Sequence, residues 1–156
     1  MADECKIYVH IGHNKFDVNL FKPVSNRDYF CKPDGGLWAS PIDSDNGWEQ
    51  WCKHNNYNKS LGFNKYGKDR FYFKLKPNAK LLYIDSVDKL NLLPEVVNPI
   101  LEHKLPYKVL DFELLKTRYD AIELSISSDY NLYYELYGWD VDSILIMNPN
   151  CIISSD

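Results

Sequence analysis

Four side chains in this chain are of types that could act together on a ligand. His10 ends a β-favouring run, and Trp38 follows two glycines in the segment GGLWASP. Glu123 lies among apolar strand residues, where a carboxylate needs a reason to sit, and Asp142 precedes the last apolar run. An imidazole can bond a hydroxyl group, and an indole face can stack on a flat ring. These residues therefore suit a site for a ring-bearing ligand.

The glycine pair before Trp38 favours close approach of a ligand to the main chain. Gly35 and Gly36 allow positive φ angles that other residues avoid. Trp38 would then offer a stacking wall, worth about 1 kcal/mol beyond its area burial, and Ser40 could bond a hydroxyl. The alternative is that Trp38 packs in the core and His10 caps a strand end.

Composition limits the classes of function. The chain has 156 residues, which suits one domain, and aromatic residues make up 15% of it, with twelve Tyr and four Trp. Net charge is -4, and the closest basic grouping, Lys65, Lys68 and Arg70, is too sparse for a general polyanion-binding surface.

The cysteines and the hydropathy favour a cytoplasmic protein with free thiols. Cys5, Cys31, Cys52 and Cys151 are widely spread with no C-x-x-C pair, so a structural metal is not expected. The sequence shows no N-terminal signal segment and no apolar run near 18 residues, so no membrane partner is expected.

The element pattern predicts a single α+β domain over residues 1–156, with many short strands and few short helices. Strands are predicted at residues 5–12, 35–41, 70–75, 81–85, 121–126 and 143–152. Helices are predicted at 44–56, capped by Ser44 or Asp45, and at 86–97, with a helical stretch before the strand at 121 and loop or helix over 130–142.

Two of these segments resemble one enzyme family. IYVHIGH resembles the first strand of the ADP-ribosyltransferase superfamily, which has a diphtheria-toxin-like split sheet. GGLWASPIDSDNGWEQWC resembles its second motif, a glycine, an aliphatic residue, an aromatic and a small residue before a helix. In the histidine-tyrosine-glutamate branch the aromatic is Tyr, and Trp38 stands in that place, keeping the π-face and losing the hydroxyl.

The resemblance implies a split antiparallel sheet and a reaction that moves ADP-ribose from the co-substrate NAD to a macromolecular acceptor, releasing nicotinamide. No metal is implied, and the acceptor, protein or nucleic acid, stays open, as does the oligomeric state. A bacterial or phage effector, toxin or anti-defence protein fits this size. The NAD-binding residues so implied are His10, Gly12, Gly35, Gly36, Leu37, Trp38, Ser40 and Trp48.

The family's catalytic glutamate has two candidates here. It bonds a ribose hydroxyl and stabilises the oxocarbenium-like transition state. We favour Glu123 over Asp142, which lies one residue out of register, with Asp140 and Glu135 behind them. Arginine-modifying relatives often have Gln or Glu two residues before the catalytic Glu, and here that position, 121, is Ala. Protein-arginine modification is therefore not implied.

Other classes of function stay open. A nucleophilic hydrolase fits poorly, because Cys52 and His54 would not face each other on a helix. The stronger alternative is a non-catalytic interaction or inhibitor protein. It would bind a partner through an NAD-type pocket or through the aromatic stretch of Tyr130, Tyr133, Tyr134, Tyr137 and Trp139.

Overall fold

A computed structural model describes residues 5–27, 31–55, 69–96, 108–136 and 138–155. The described chain forms an α+β domain. Its strands are β1 (Ile7–Ile11), β2 (Leu37–Pro41), β3 (Arg70–Leu75), β4 (Leu81–Ile84), β5 (Ala121–Leu124), β6 (Ser143–Ile146) and β7 (Ile152–Ser155). Its helices, within those ranges, are α1 (Trp48–His54), α2 (Val87–Asn91), α3 (Phe112–Leu115) and α4 (Leu132–Glu135).

The seven strands form one mixed sheet in the order β4-β5-β6-β2-β1-β3-β7. Every pairing is antiparallel except that of β4 with β5, which is parallel. The prediction of an antiparallel sheet was therefore incomplete. A parallel pair needs a long crossover, and the segment between β4 and β5, which includes α2 and α3, supplies it.

The centre of the sheet is buried on both faces. The register places Trp38 opposite Leu145 on one face, where a core cluster surrounds Trp139, and Ala39 opposite Ile144 on the other. β5 and β6 are buried along their whole length. Glu123 is 2% exposed, so it is not the outward-facing polar residue that simple alternation would predict.

The two central strands separate at one end. β1 pairs with β3 at every position from Ile7 to Ile11, whereas its register with β2 joins Tyr8 to Pro41 and Val9 to Ser40. Beyond Val9, β1 continues along β3 while β2 continues along β6. A gap therefore opens between these strands in the middle of the sheet.

Some predicted elements have other boundaries. The last predicted strand, 143–152, contains β6, which pairs with β2, and reaches only the first residue of β7, which pairs with β3. The two strands are separate because Pro149 begins a short 3-10 turn between them. The helix predicted at 44–56 begins at Trp48, with Gly47 and not Ser44 or Asp45 at its N-cap. β3 has the predicted bounds.

Candidate functional site

A cavity of about 190 Å³ lies where β1 and β2 separate. The strands bring residues together there that are far apart in the chain, and α1 closes one side. The polar and aromatic residues that line it are His10, Lys32, Trp38, Ser40, Trp48, Asp140 and Ser143. Four of these, His10, Trp38, Ser40 and Trp48, are among the predicted NAD-binding residues.

His10 bridges the gap between the strands. Its Nδ1 lies 2.7 Å from the carbonyl oxygen of Trp38, and its Nε2 lies 2.9 Å from Nδ1 of His13. A carbonyl can only accept, so Nδ1 of His10 carries a proton and donates it. In the neutral ring Nε2 is then an acceptor, and Nδ1 of His13 donates to it. Burial lowers the pKa of His10 and the charge of His13 adds to this, against the raising effect of the bond to Trp38.

A second cavity, of about 170 Å³, also meets His10 and Trp38. His13, Gly36, Leu37 and Phe71 are among its other lining residues. Leu37 is next to Trp38 in β2, and neighbouring residues in a strand point to opposite faces. Both cavities therefore adjoin the His10–Trp38 bridge.

Trp38 is half-buried and is held on two sides. Its ring packs edge-on against Trp139, with the ring centroids 4.8 Å apart, and the Lys32 ammonium lies 5.1 Å from its centroid. Trp139 is a core residue, 1% exposed, that donates from Nε1 to the carbonyl of Cys31. Trp38 thus has a part in the core as well as a face toward the cavity.

Ser40 joins the cavity to α1. Its Oγ accepts a hydrogen bond of 3.0 Å from the main-chain N–H of Trp48, the first residue of the helix. Ser40 thereby satisfies one of the donors that a helix start leaves unpaired. The Trp48 ring lies against that of Trp51, with centroids 5.1 Å apart and planes 8° apart. The same serine oxygen holds the helix and lines the cavity.

Lys32 and Asp140 bring opposite charges to the cavity without pairing. Within the described ranges, neither side chain makes a hydrogen bond, and no ion pair of 4.0 Å or less joins them. Burial lowers the pKa of Lys32, and the charge of Asp140 partly offsets this. The cavity therefore has both a cation and an anion whose polar atoms remain available to a ligand.

Glu123 lies outside both cavities. Its carboxylate accepts hydrogen bonds from Lys6 and from Oη of Tyr8, the latter at 2.7 Å, and it lines neither cavity. Burial alone would lower the pKa of Lys6, but Glu123 raises it overall. Burial and the same carboxylate raise the pKa of Tyr8. Glu123 is thus the acceptor of a buried polar cluster on the face of Ala39 and Ile144.

Asp142 is also fully engaged. Its carboxylate accepts from the hydroxyls of Ser44 and Ser127, at 2.7 and 2.6 Å, and from the main-chain N–H of Ser127 at 3.0 Å. It is 6% exposed, and it lines neither cavity although Val141 and Ser143 line the first. Asp142 fastens the loop after β2 and the loop after β5 to the start of β6.

The two glycines before Trp38 are required by their own surroundings. Both have φ of +74°. A Cβ on Gly35 would overlap the carbonyl oxygen of Pro23, and one on Gly36 would overlap Cδ1 of Leu145. Gly36 lines the second cavity, and Gly35 lines neither. The turn and its packing thus explain the pair without a ligand. Gly12, with φ of +129°, lies beside His10 Nε2.

The structure therefore gathers part of the predicted site and adds to it. Asp140 ranked behind Glu123 and Asp142 in the sequence, and Lys32 was not singled out. A signal was present for both: Lys32 precedes the glycine turn by three residues and Asp140 adjoins the β6 run. Which carboxylate meets the gap depends on register and pairing, which the sequence pattern did not supply.

Three further findings concern metal ligands, the length and hydropathy of the helices, and the thiols. In the described ranges, no group of three or more His, Cys, Asp or Glu residues is arranged to hold a metal ion. Across the same ranges, none of the helices is both long and apolar enough to cross a membrane. The cysteines are all free thiols, with Cys5 exposed and the other three buried.

Comparisons of this chain with protein-family models, with characterised proteins and with solved structures gave no match.

Proposed function

We propose that this protein is an NAD-dependent ADP-ribosyltransferase. It would bind NAD in the cavity at the gap between β1 and β2 and transfer ADP-ribose to a macromolecular acceptor, with release of nicotinamide. The observation that carries the proposal is the convergence of a histidine, two tryptophans and an unpaired carboxylate on one cavity. These are His10, Trp38, Trp48 and Asp140.

The strand arrangement supports this proposal. His10 lies on β1 and Trp38 on β2, which are neighbours in the sheet and separate beside these two residues. In the family that the sequence resembles, the histidine at the end of the first strand holds the nicotinamide ribose and amide, and the aromatic residue of the second motif stacks on nicotinamide. Here the gap lies at the corresponding pair of strands.

Four lining residues, His10, Trp38, Trp48 and Asp140, have a defined chemical role in the proposal. The tryptophans hold the flat nicotinamide ring, and His10 uses Nε2 to accept a hydrogen bond from a ribose hydroxyl in place of His13. Asp140 stabilises the positive charge that develops on the ribose as the bond from C1′ to the ring nitrogen breaks. The bonding electrons leave with nicotinamide, and the acceptor nucleophile bonds C1′ and loses its proton.

Asp140 replaces Glu123 and Asp142 in this assignment because of what each carboxylate contacts. Glu123 is bonded to Lys6 and Tyr8, and Asp142 to Ser44 and Ser127. Asp140 lines the cavity and has no such partner in the described chain. A carboxylate that must meet a ligand needs unshared lone pairs, and Asp140 has them.

The direct test is to incubate the purified protein with NAD and measure nicotinamide release. The wild type should release nicotinamide, and Asp140→Asn should lose about 100-fold or more of the rate while staying folded. Glu123→Gln and Asp142→Asn are matched controls that neutralise the other carboxylates. If folded Asp142→Asn loses turnover and Asp140→Asn keeps it, the catalytic carboxylate is Asp142. If the wild type releases no nicotinamide from NAD, the proposal fails.

A second candidate function has its own observation. Tyr130, Tyr133 and Tyr134 are 65%, 38% and 67% exposed, and their rings contact one another around α4. Exposed tyrosines that lie together are typical of protein-binding surfaces. Trp139 is buried and does not belong to this surface, and Tyr137 lies outside the described residues. A binding-only role predicts that the protein releases no nicotinamide from NAD. It also predicts that replacing the exposed tyrosines abolishes binding to the partner protein.

A further inference from the structure

The Lys32 ammonium is a cation placed in the cavity without an anion. Among the described residues its charge neighbour is Asp140, beyond ion-pair distance, and its Nζ lies over the Trp38 ring, 5.1 Å from the centroid. A half-buried ammonium loses hydration, and a cation over an indole face recovers part of that loss. An anionic ligand group would recover more, since a charge-assisted hydrogen bond is stronger.

The separation of Lys32 from Asp140 constrains the ligand. Two opposite charges more than 4.0 Å apart, both facing one cavity of about 190 Å³, fit a ligand that itself carries separated opposite charges. A pyridinium riboside with a 5′-phosphate has this form: its cationic ring and ribose carbon suit Asp140, and its phosphate suits an ammonium.

The other basic side chains beside this part of the sheet are less suited to this task. Arg70 lines an adjoining cavity but is bonded to Glu49 through both terminal nitrogens, at 3.2 and 3.4 Å. Lys15 lines the second cavity and not the first, and is exposed. Lys32 shares its cavity with Asp140, Trp38 and Trp48.

We propose that Lys32 binds the phosphate next to the nicotinamide ribose, and that the cavity selects phosphorylated pyridinium ribosides over unphosphorylated ones. On binding, the ammonium exchanges the face of Trp38 for the phosphate oxygens. The indole face is then exposed to the nicotinamide ring, so one movement both holds the anion and opens the stacking surface. This inference rests on the proposed function, because it assigns a part of the same ligand.

The test compares two ligands that differ by one phosphate, nicotinamide mononucleotide and nicotinamide riboside, by calorimetry at fixed ionic strength. The wild type should bind the mononucleotide about tenfold or more tighter. Lys32→Gln should bring the two affinities within about twofold, and Lys32→Arg should keep the preference. Lys15→Gln is the matched control and should behave as wild type. Thermal unfolding of each variant shows that it is folded.

The outcomes separate this inference from the proposed function. If nicotinamide is released from NAD but Lys32→Gln keeps the wild-type preference, the phosphate lies elsewhere and the inference is wrong while the function stands. If Lys15→Gln removes the preference, the phosphate lies in the second cavity, which also overturns the inference. If the preference depends on Lys32 and NAD is never cleaved, the anion site stands and the transferase proposal fails. If neither ligand binds, this inference is wrong, and the proposed function is decided by nicotinamide release from NAD.

Discussion

His10 and Trp38, 28 residues apart in the chain, are joined by a 2.7 Å hydrogen bond from the imidazole Nδ1 to the main-chain carbonyl oxygen. This bond crosses the gap between β1 and β2 and fixes which nitrogen of His10 has the proton. The other nitrogen, Nε2, is therefore an acceptor, and it accepts from Nδ1 of His13. The contact orients the side chain that we expect to meet the ribose.

The first prediction concerns pH. His10 has a lowered pKa when folded, against an ordinary value of 6.5. As pH falls below 6.5, His10 takes up a proton in the unfolded chain but stays neutral in the folded chain. The free energy of unfolding therefore decreases with acidification. His10→Gln should flatten this dependence between about pH 6.5 and 5, measured by urea unfolding. His54→Gln, at the exposed end of α1, is the control. Equal slopes for wild type and His10→Gln would contradict the assignment.

The second prediction concerns Glu123. Glu123→Ala leaves Tyr8 Oη without its partner and Lys6 without its counter-charge, so it should lower the free energy of unfolding by about 2–3 kcal/mol. Tyr8→Phe removes one of these bonds and should cost about 1 kcal/mol. Nicotinamide release by the folded Glu123→Gln protein should match wild type. A catalytic loss without a stability loss would return Glu123 to the active site.

The third prediction concerns the glycine turn. Gly36→Ala meets both a φ of +74° and the Leu145 side chain, and should cost about 3 kcal/mol or more. Gly138 also has a positive φ, +89°, but a Cβ there has no neighbour within 4 Å. Gly138→Ala should therefore cost about 1 kcal/mol, from the backbone alone. Equal costs in chemical denaturation would show that crowding at Leu145 is not the reason for Gly36.

The fourth prediction separates the two roles of Trp38. Because the ring packs on Trp139, Trp38→Ala should lower the free energy of unfolding by about 2 kcal/mol. Loss of the stacking face should also weaken NAD binding about tenfold. Trp38→Phe keeps a flat ring and should retain most of the affinity. Calorimetry on both variants, below their unfolding temperatures, makes the comparison. Unchanged NAD affinity in folded Trp38→Ala would mean that Trp38 is a core residue alone.

Local patterns predicted the strands well where side chains alternate or branch. β3 has its predicted bounds, Arg70–Leu75, because its β-favouring run is ended by Pro77. β7 was not predicted as a strand of its own, since Ile152–Ser155 has little apolar character and is placed by pairing with β3. The parallel pairing of β4 with β5 likewise depends on contacts far apart in sequence.

Some residues of the candidate site could likewise be predicted from local sequence, and others could not. His10 and Trp38 were predicted from their own segments, because each lies one residue from the end of a short strand. The choice among carboxylates was not, because Glu123 lies in β5 opposite Ile144, whereas Asp140 precedes β6 and lines the cavity. The face of the sheet that Glu123 meets depends on the register of β5 and β6, where a shift of one residue would exchange the two faces.

Ser40 links binding in the cavity to the fluorescence of two tryptophans. Its hydroxyl oxygen holds the first N–H of α1, and the helix carries the parallel pair Trp48 and Trp51. A ligand that hydrogen-bonds to Ser40 would contact the same Oγ that accepts from the N–H of Trp48. Ligand binding should therefore change the surroundings of both indole rings. Intrinsic fluorescence should then report occupancy without any label, and a Ser40→Ala protein should lose both the signal and the helix anchor.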